Sequence, residues 1–384
     1  MKKILILGGS HRDIPLIKAS QELGYFVITL GDRDYYLGHN YSNKVYKVNF
    51  NDLDKVREII KKENIDFLIP GSGEESYLNT VFLSQEFNIG NFDTYETAKL
   101  IHNKWKFKEF CLKNNISTPN GKFYKKEENL DNLTYPIVVK PTNLSGGRGV
   151  DVVYNQKELK ISLSKAKDIS NEIFLEEYIE GNLIAYSIFL KDQKILYSFS
   201  GEDRSYLNKY LITTAYPIKL HTKVQQKINN DIQKIAKLLN LVNGMFHFQI
   251  LIRDNTPYII DVTRRIPGDF YPYLIEYADK VKYSHSVIKA YTKGKIDNEF
   301  KNKNTKQKFI IRHVIMANKN GNYRSLKIDN ILKNKIIFEF NILKSGDEIK
   351  SYLNTQIGII FIQLDNYDKN VVNNLNKLIK VEIG

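Results

Sequence analysis

The sequence predicts an α/β chain in three parts, and three observations carry that prediction. Short apolar runs alternate with helix-like segments over residues 1–100, antiparallel-looking strands bounded by Gly, Asn or Asp follow, and strands and turns resume near residue 305. A chain of 384 residues suffices for two or three domains at roughly 100–200 residues each, each large enough to bury its own core.

The apolar and helical runs are Ile4–Leu7, Leu16–Leu23, Phe26–Leu30, Leu53–Lys62, Phe67–Pro70 and Leu78–Phe87. Short strands separated by helical patterns of this length imply βαβ units and a parallel sheet, so residues 1–100 read as a Rossmann-like domain. Gly8-Gly9-Ser10 follows the first strand, where a tight turn can aim backbone N–H groups at an anion. It lacks the full G-x-G-x-x-G spacing and reads as a structural turn or a substrate-facing loop. Pro70-Gly71-Ser72-Gly73-Glu74-Glu75 ends another strand, at the edge where open α/β sheets place ligands. Glu74 or Glu75 either touches substrate or caps the next helix.

Asp93–Asn114 reads as one long helix, closed by Asn115-Ile116-Ser117-Thr118-Pro119, with a domain boundary near residue 100. Strands are expected at Tyr135–Lys140, Val150–Tyr154, Ile173–Tyr178, Ala185–Leu190 and Lys194–Ser200. In Val224–Leu239, Ile228, Ile232, Ile235 and Leu239 fall at helical spacing and predict a core-facing helix. Turn signals at Asn318–Asn322 and Ser345-Gly346-Asp347 lead us to expect a central domain over residues 101–304 and a small C-terminal α+β domain over 305–384.

Composition excludes several classes of function. The net charge is +14, but the lysines are scattered among asparagines and isoleucines, which predicts a solvated basic surface and no specific nucleic-acid partner. One cysteine, Cys111, permits neither an intrachain disulfide nor a cysteine-built metal site, and suits a reducing cytoplasm. The run Ile4–Leu7 stops at Gly8-Gly9, too short for a secretory signal, and no stretch approaches the roughly 20 apolar residues of a membrane span. No G-x-x-x-x-G-K-[ST], H-E-x-x-H or G-x-S-x-G occurs, against a P-loop ATPase, a zincin and an α/β-hydrolase.

One constellation stands out. Tyr135-Pro136-Ile137-Val138-Val139-Lys140-Pro141 delivers a lysine at the end of an apolar strand, and Ser145-Gly146-Gly147-Arg148-Gly149-Val150 follows. Such a glycine-rich loop lets backbone N–H groups approach phosphate oxygens, and the lysine adds a point charge. Strand and loop together resemble the phosphate-gripping strand and loop of the ATP-grasp superfamily, which includes biotin carboxylase, D-alanine–D-alanine ligase and the large subunit of carbamoyl phosphate synthetase. The resemblance covers roughly residues 1–300 in order.

It implies a Rossmann-like domain, a two-lobed ATP-grasp domain and a small C-terminal domain, with ATP and Mg²⁺ (or Mn²⁺) as cofactors. Lys104, after an Asn103 that replaces the family's usual aspartate, would be the first phosphate lysine and Lys140 the second. Ser145, Gly146, Gly147, Arg148 and Gly149 would cradle the triphosphate. In the hinge strand Phe174–Gly181, Glu176 would meet the adenine amino group, the backbone around Glu177 and Tyr178 its edge, and Ile179 its face. Asn182-Leu183-Ile184-Ala185 lacks the post-hinge glutamate that binds ribose in many relatives, and Glu180 or Asn182 would substitute.

Gln249, Asp261 and Thr263 would hold the metal, with Thr263 where the family has asparagine. Arg265 would hold phosphate or acyl phosphate and, with Lys140, carry catalysis. Period-two geometry sets Asp261, Thr263 and Arg265 on one face. His247 faces the same way as Gln249 and reads as a buried structural histidine, while Asp269, after Pro267-Gly268, either joins the site or shapes a turn. Arg204, Tyr206, Lys209, Arg264 and Tyr271 either line an anionic or sugar-bearing substrate site or lie on the surface.

The resemblance implies an ADP-forming ligase that activates a carboxylate as an acyl phosphate and joins it to an amine, an amino acid or a small metabolite, with small-molecule substrates and a homodimeric assembly as in relatives of similar layout. The alternatives are a bicarbonate-using carboxylase or carbamoyl phosphate-type enzyme, and an ATP-binding regulator without turnover.

Overall fold

The structure is a computed structural model that describes every residue except 126–129, 131, 132, 142–148, 210, 295, 297–299 and 301–307. Strand β1 (Lys3–Leu7), α1 (Ile14–Glu22), β2 (Phe26–Leu30), β3 (Lys44–Tyr46), α2 (Leu53–Glu63), β4 (Phe67–Pro70) and α3 (Glu74–Phe87) build the N-terminal part. Its sheet is parallel, in the order β3-β2-β1-β4. The strands are apolar without alternation because helices cover both faces. Leu5, Leu7 and Ile28 cluster with Val56, Ile59 and Ile60 of α2, while Ile4, Ile6 and Val27 cluster with Ile14, Leu16 and Ile17 around α1.

The single helix expected over Asp93–Asn114 is two helices, α4 (Tyr95–His102) and α5 (Lys104–Lys113). Asn103 separates them. Its backbone is extended, and its side chain accepts from the N–H groups of Trp105 and Lys106 as the N-cap of α5. Asparagine competes with helical backbone in this way and favours caps over helix interiors. The break puts Lys104 in the first turn of a new helix.

A small antiparallel lobe follows, made of β5 (Gly121–Phe123), β6 (Ile137–Pro141), β7 (Asp151–Val153), α6 (Gln156–Lys167) and β8 (Ile173–Glu177). The order is β5-β8-β6-β7, and Leu159, Leu163 and Ala166 of α6 close the core against Ile137, Val139 and Leu175.

The rest of the chain comprises β9 (Asn182–Lys191), β10 (Lys194–Arg204), β11 (Thr214–Pro217), α7 (Thr222–Leu238), β12 (Gly244–Arg253), β13 (Thr256–Thr263), α8 (Tyr271–Asp279) and α9 (Tyr283–Lys293). Then come β14 (Phe309–Met316), β15 (Gly321–Ile328), β16 (Ile336–Asn341), β17 (Glu348–Ile349), β18 (Gln356–Leu364) and β19 (Ile379–Ile383). One eight-stranded sheet runs β13-β12-β9-β10-β11-β14-β18-β16, and β17-β15-β19 form a small separate one. The eight-stranded sheet therefore continues across the boundary expected at residues 304/305.

Alternation gives this sheet two apolar faces. Ile184, Tyr186 and Ile188 point to Ile228, Ile232 and Ile235 of α7, as their helical spacing predicts. Ala185, Phe189 and Ala215 point the other way, into a core shared with α8, α9 and the N-terminal sheet. The site described below lies on this second face.

Three histidines are sealed in these layers. His102 stacks on Tyr77 at 4.5 Å, His247 Nδ1 pairs with the Ser187 hydroxyl at 2.7 Å, and His313 Nδ1 pairs with that of Thr214 at 2.9 Å. Burial pushes each down to about 3 from an ordinary 6.5. Between those values the unfolded chain binds protons that the folded chain refuses, so stability is present above the ordinary value and is lost as pH falls. The thermal midpoint is expected to decline steadily from pH 7 to pH 4; a midpoint flat over that range would contradict the burial of these rings as neutral groups.

Candidate active site

The hinge carboxylate Glu176 is almost wholly enclosed, at 4% exposure. Its Oε1 lies 2.6 Å from Lys140 Nζ, and its Oε2 pairs with Lys108 of α5. The register sets this up, since Lys140 of β6 is opposite Phe174 and Glu176 of β8 is opposite Val138 on the neighbouring antiparallel strand. Burial works against the charge of Glu176, but Lys140 and Lys108 outweigh it and hold the carboxyl below its ordinary range. Lys108 is the residue that sequence reasoning missed. Burial pushes it down to about 8 despite the pull of Glu176, and only its one-turn spacing from Lys104 on the same helix hinted at a shared face.

The rest of the hinge is also committed. The Glu177 N–H donates to the Asn120 carbonyl and the Tyr178 N–H to that of Pro136. Glu177 Oε1 accepts from Arg253 at 2.9 Å, and Ile179 is buried. Gly149 has a left-handed backbone (φ 71°), while Ser145, Gly146, Gly147 and Arg148 lie outside the described residues.

A second group of charges gathers where β13 meets the N-terminal part. Gln249 and Asp261 sit directly opposite each other on β12 and β13, and Thr263 is opposite His247 one step along the same face. Asp261 Oδ2 is 3.0 Å from Lys104 Nζ, and the charge of Asp261, with a hydrogen bond to it, outweighs the opposing effect of burial and raises the lysine above its ordinary range. Glu74, at the start of α3, is close enough for its charge to act on Lys104 and Arg265. Burial and then Asp261 push Glu74 up. Arg265 is pushed down by burial, against Glu74 and Asp261, and its Nε is buried with no partner among the described residues. Of Glu74 and Glu75, it is Glu74 that joins this group.

The chemistry of such a site is anion handling. Two carboxylates, two cations and one unpaired guanidinium N–H converge at the C-terminal end of β4 and the end of β13, where charge on a transferring group can be matched without reorganisation.

Residues 103–269 match the family model described as D-ala D-ala ligase C-terminus. The chain carries an ATP-grasp domain. The carbamoyl phosphate synthase large chain of Clostridium beijerinckii is 25% identical over 289 residues, which covers 69% of this chain and 27% of that one. The chain thus spans about a quarter of the length of that relative. Among solved structures, phosphoribosylglycinamide synthetase from Anaerococcus prevotii superposes with a TM-score of 0.82 at 21% identity, over 100% of both chains. The L-amino acid ligase from Bacillus licheniformis superposes with a TM-score of 0.83 at 18% identity, over 100% of this chain and 99% of that one.

Within the ATP-grasp domain, no cluster of three His, Cys, Asp or Glu side chains able to hold a metal occurs among the described residues. That fits Mg²⁺, which takes one or two carboxylates and fills its other positions with phosphate oxygens and water. Asp261 and Gln249 supply oxygens across one strand pair, whereas the Thr263 hydroxyl accepts from the Arg265 N–H at 3.3 Å.

One reading of the candidate site residues is corrected. Arg264 lines neither a substrate site nor the surface. It is 4% exposed, with Nε 2.8 Å from Asp93 and its other nitrogens donating to the Met245 and Val242 carbonyls. Strand alternation turns it away from Arg265, into a clamp between the segment before α4 and the sheet. Removing one partner of such a buried pair typically costs about 3–5 kcal/mol, so Arg264→Ala is expected to lower the thermal midpoint sharply; an unchanged midpoint would remove the clamp from the account. Gly8-Gly9-Ser10 takes the first of its two readings, a structural turn. The Asp13 carboxylate already accepts from Gly9 N–H, Ser10 N–H and Ser72 N–H at 2.7–2.9 Å.

Asp269 ties together residues from distant parts of the chain. Its Oδ1 lies 3.0 Å from Arg12 Nε, and its Oδ2 accepts from Gln356 at 3.1 Å. Burial opposes its charge, but Arg12, His11 and Arg312 outweigh it and hold the carboxyl well below the ordinary range. Arg204 pairs with Glu202 and Asn373, and the Tyr206 hydroxyl accepts from the Met316 N–H. Both are engaged in structure.

Proposed function

We propose that this ATP-grasp chain is an ADP-forming ligase that activates a small-molecule carboxylate with Mg-ATP and joins it to an amine, in the cytoplasm. The observation that carries the reading is the convergence of Lys104, Glu74, Asp261 and Arg265 beside the Gln249–Asp261 strand pair. The family match over residues 103–269 supports it. So do the names of the two structures above, a synthetase and a ligase. The single cysteine is free and buried, as suits a reducing compartment.

Lys104 and Lys140 would bind phosphate oxygens, with Ser145, Gly146, Gly147, Arg148 and Gly149 as further candidates for that contact by family resemblance, and the hinge residues Glu176–Ile179 would hold the base. Mg²⁺ or Mn²⁺ at Asp261 and Gln249, with Thr263 beside them, would supply positive charge against the phosphates. Arg265 would hold the carboxylate in line with the γ-phosphorus. The carboxylate oxygen takes the γ-phosphoryl group and ADP departs. The amine then attacks the acyl carbon, inorganic phosphate leaves with the bonding pair, and the amine proton passes to solvent or phosphate. Positioning and electrostatics suffice for both steps. Excluding water protects the acyl phosphate.

A second reading, a bicarbonate-using enzyme of carbamoyl phosphate type, draws on the similarity to carbamoyl phosphate synthase. ADP release from the purified chain with Mg-ATP distinguishes the two. A requirement for both a carboxylate pool and an amine pool is expected. Release on bicarbonate alone would favour the second reading, and ATP binding without release in any mixture would turn the assignment to a regulator.

A further inference from the structure

Three buried polar atoms on the face of the sheet that carries the Gln249–Asp261 pair have no partner among the described residues: Asp203 Oδ1, Arg312 Nε and the Tyr271 hydroxyl. Their residues are 7%, 2% and 3% exposed. Leaving a polar group buried without a partner is unfavourable, and more so when it is charged, so three together call for an occupant. The register puts them in one place. Asp203 of β10 is opposite Ala215 of β11, and Ala215 is opposite Arg312 of β14. Residues directly opposite share a face, so Asp203 and Arg312 flank the small Ala215, with backbones about 10 Å apart at two strand spacings. The Arg312 guanidinium lies 5.7 Å from the Tyr271 ring centre and donates through Nη1 to the Asp269 carbonyl. Yet no hydrogen bond or ion pair joins it to Asp203. Two opposite buried charges face each other across an alanine without meeting.

The same face continues to the reaction centre. Gly201, two residues before Asp203, lies in a row with Ala185, Gln249 and Asp261, so a strip of small residues runs from the metal-binding pair to Asp203. The Tyr271 hydroxyl overhangs that strip, 2.8 Å from where a Gly201 Cβ would lie. Asp203 is on the strand nearer Asp261, and Arg312 on the farther one.

We propose that Asp203 and Arg312, under Tyr271, bind the two ends of an α-amino acid that serves as the amine substrate, its ammonium on Asp203 facing the reaction centre and its carboxylate on Arg312. A zwitterion satisfies both charges at once, which neither a simple amine nor a simple acid does. Its orientation follows from the strand order, and the product keeps a free carboxylate. Burial pushes the Asp203 carboxyl up to about 7 even with Arg312 nearby, so an added cation there meets a strong electrostatic demand. The inference rests on the ligase reading for its catalytic meaning, but the binding itself does not.

The test is thermal stabilisation of the full chain, without nucleotide, by a panel of α-amino acids, each with its decarboxylated amine and its deaminated acid. At least one amino acid is expected to raise the midpoint while its two relatives do not. Asp203→Asn and Arg312→Gln should each raise the concentration needed by roughly 30-fold or more, as for truncation of a buried charge partner. Asp203→Asn should keep its ATP affinity and at least the wild-type midpoint without ligand. Equal protection by the bare amine, an unaltered response in Asp203→Asn, or no response to any amino acid in the wild type would each overturn the proposal. ADP release run alongside separates the two readings. Amino-acid protection without turnover sinks the ligase and keeps the subsite; turnover whose amino-acid KM ignores Asp203→Asn does the reverse.

Discussion

Lys140→Ala is expected to lower ADP release by about 10²–10³-fold, equivalent to about 2.7–4 kcal/mol of transition-state stabilisation, with little change in thermal midpoint. The asymmetry follows from where the lysine sits. It is 23% exposed while its partner Glu176 is 4% exposed, so removing Lys140 takes away the more accessible of two cations on one carboxylate and leaves Lys108 to neutralise the buried charge. A phosphoryl group in transfer spreads charge over its equatorial oxygens, and Lys140, at the end of β6, is placed to meet that charge once ATP competes with Glu176 for it. The measurement is ADP release under saturating ATP, together with a melt of each protein. A variant with more than a tenth of wild-type turnover would remove Lys140 from the phosphate site.

Glu176→Ala should behave in the opposite way and unfold the lobe. Lys108 is 4% exposed and forms its ion pair with Glu176, so the variant leaves an ammonium in an apolar interior beside Lys140. Breaking a buried pair from one side typically costs about 3–5 kcal/mol, against a total stability of roughly 5–15 kcal/mol for a domain. The sign of its pH dependence is fixed. Lys108 is already lowered to about 8 with Glu176 present, and without it the neutral amine is favoured further. The folded variant then binds fewer protons than the unfolded chain up to the ordinary lysine range, and its stability rises with pH there. Chemical denaturation is expected to show the largest deficit near pH 7, shrinking by pH 9. Replacing Lys108 by Met in the Glu176→Ala background should restore most of the loss; failure to do so would mean that the cost arises elsewhere.

How far the sequence reaches can be judged residue by residue. Strand and helix identities were legible where a short apolar run stood between turn signals, as in Ile4–Leu7, or where a helical period dominated, as in Ile228–Ile235, because packing on two faces or on one imposes those patterns directly. The break at Asn103 was not. An asparagine inside a lysine-rich helical pattern differs from a cap only through the turn it starts, and a one-dimensional pattern does not show that turn. Gln249 and Asp261 were brought together only by the resemblance to two adjacent family strands, and the structure has them opposite each other. Lys108 and Arg12 act through partners far along the chain, and little in the local sequence separates them from other charged residues, whereas Glu74 stood out by its place at a strand end. Arg264 and Arg265 are a sharper case. The two are identical in type and adjacent, and only the burial of one face of β13 sends the first to Asp93 and leaves the second beside Asp261.

Cutting the chain at residue 305 would strip β14 from β11 and bare a row of N–H and C=O groups in the middle of what is now an unbroken eight-stranded sheet. An open, flat edge of that kind templates pairing with other chains. The segment from β14 onward therefore works as a cover that keeps a sticky seam from forming, and a shortened version should be prone to aggregation even where every phosphate-binding residue is retained. It would also lose Arg312 and Gln356, which hold Asp269 from the far side. The catalytic half and its cover are one folding unit.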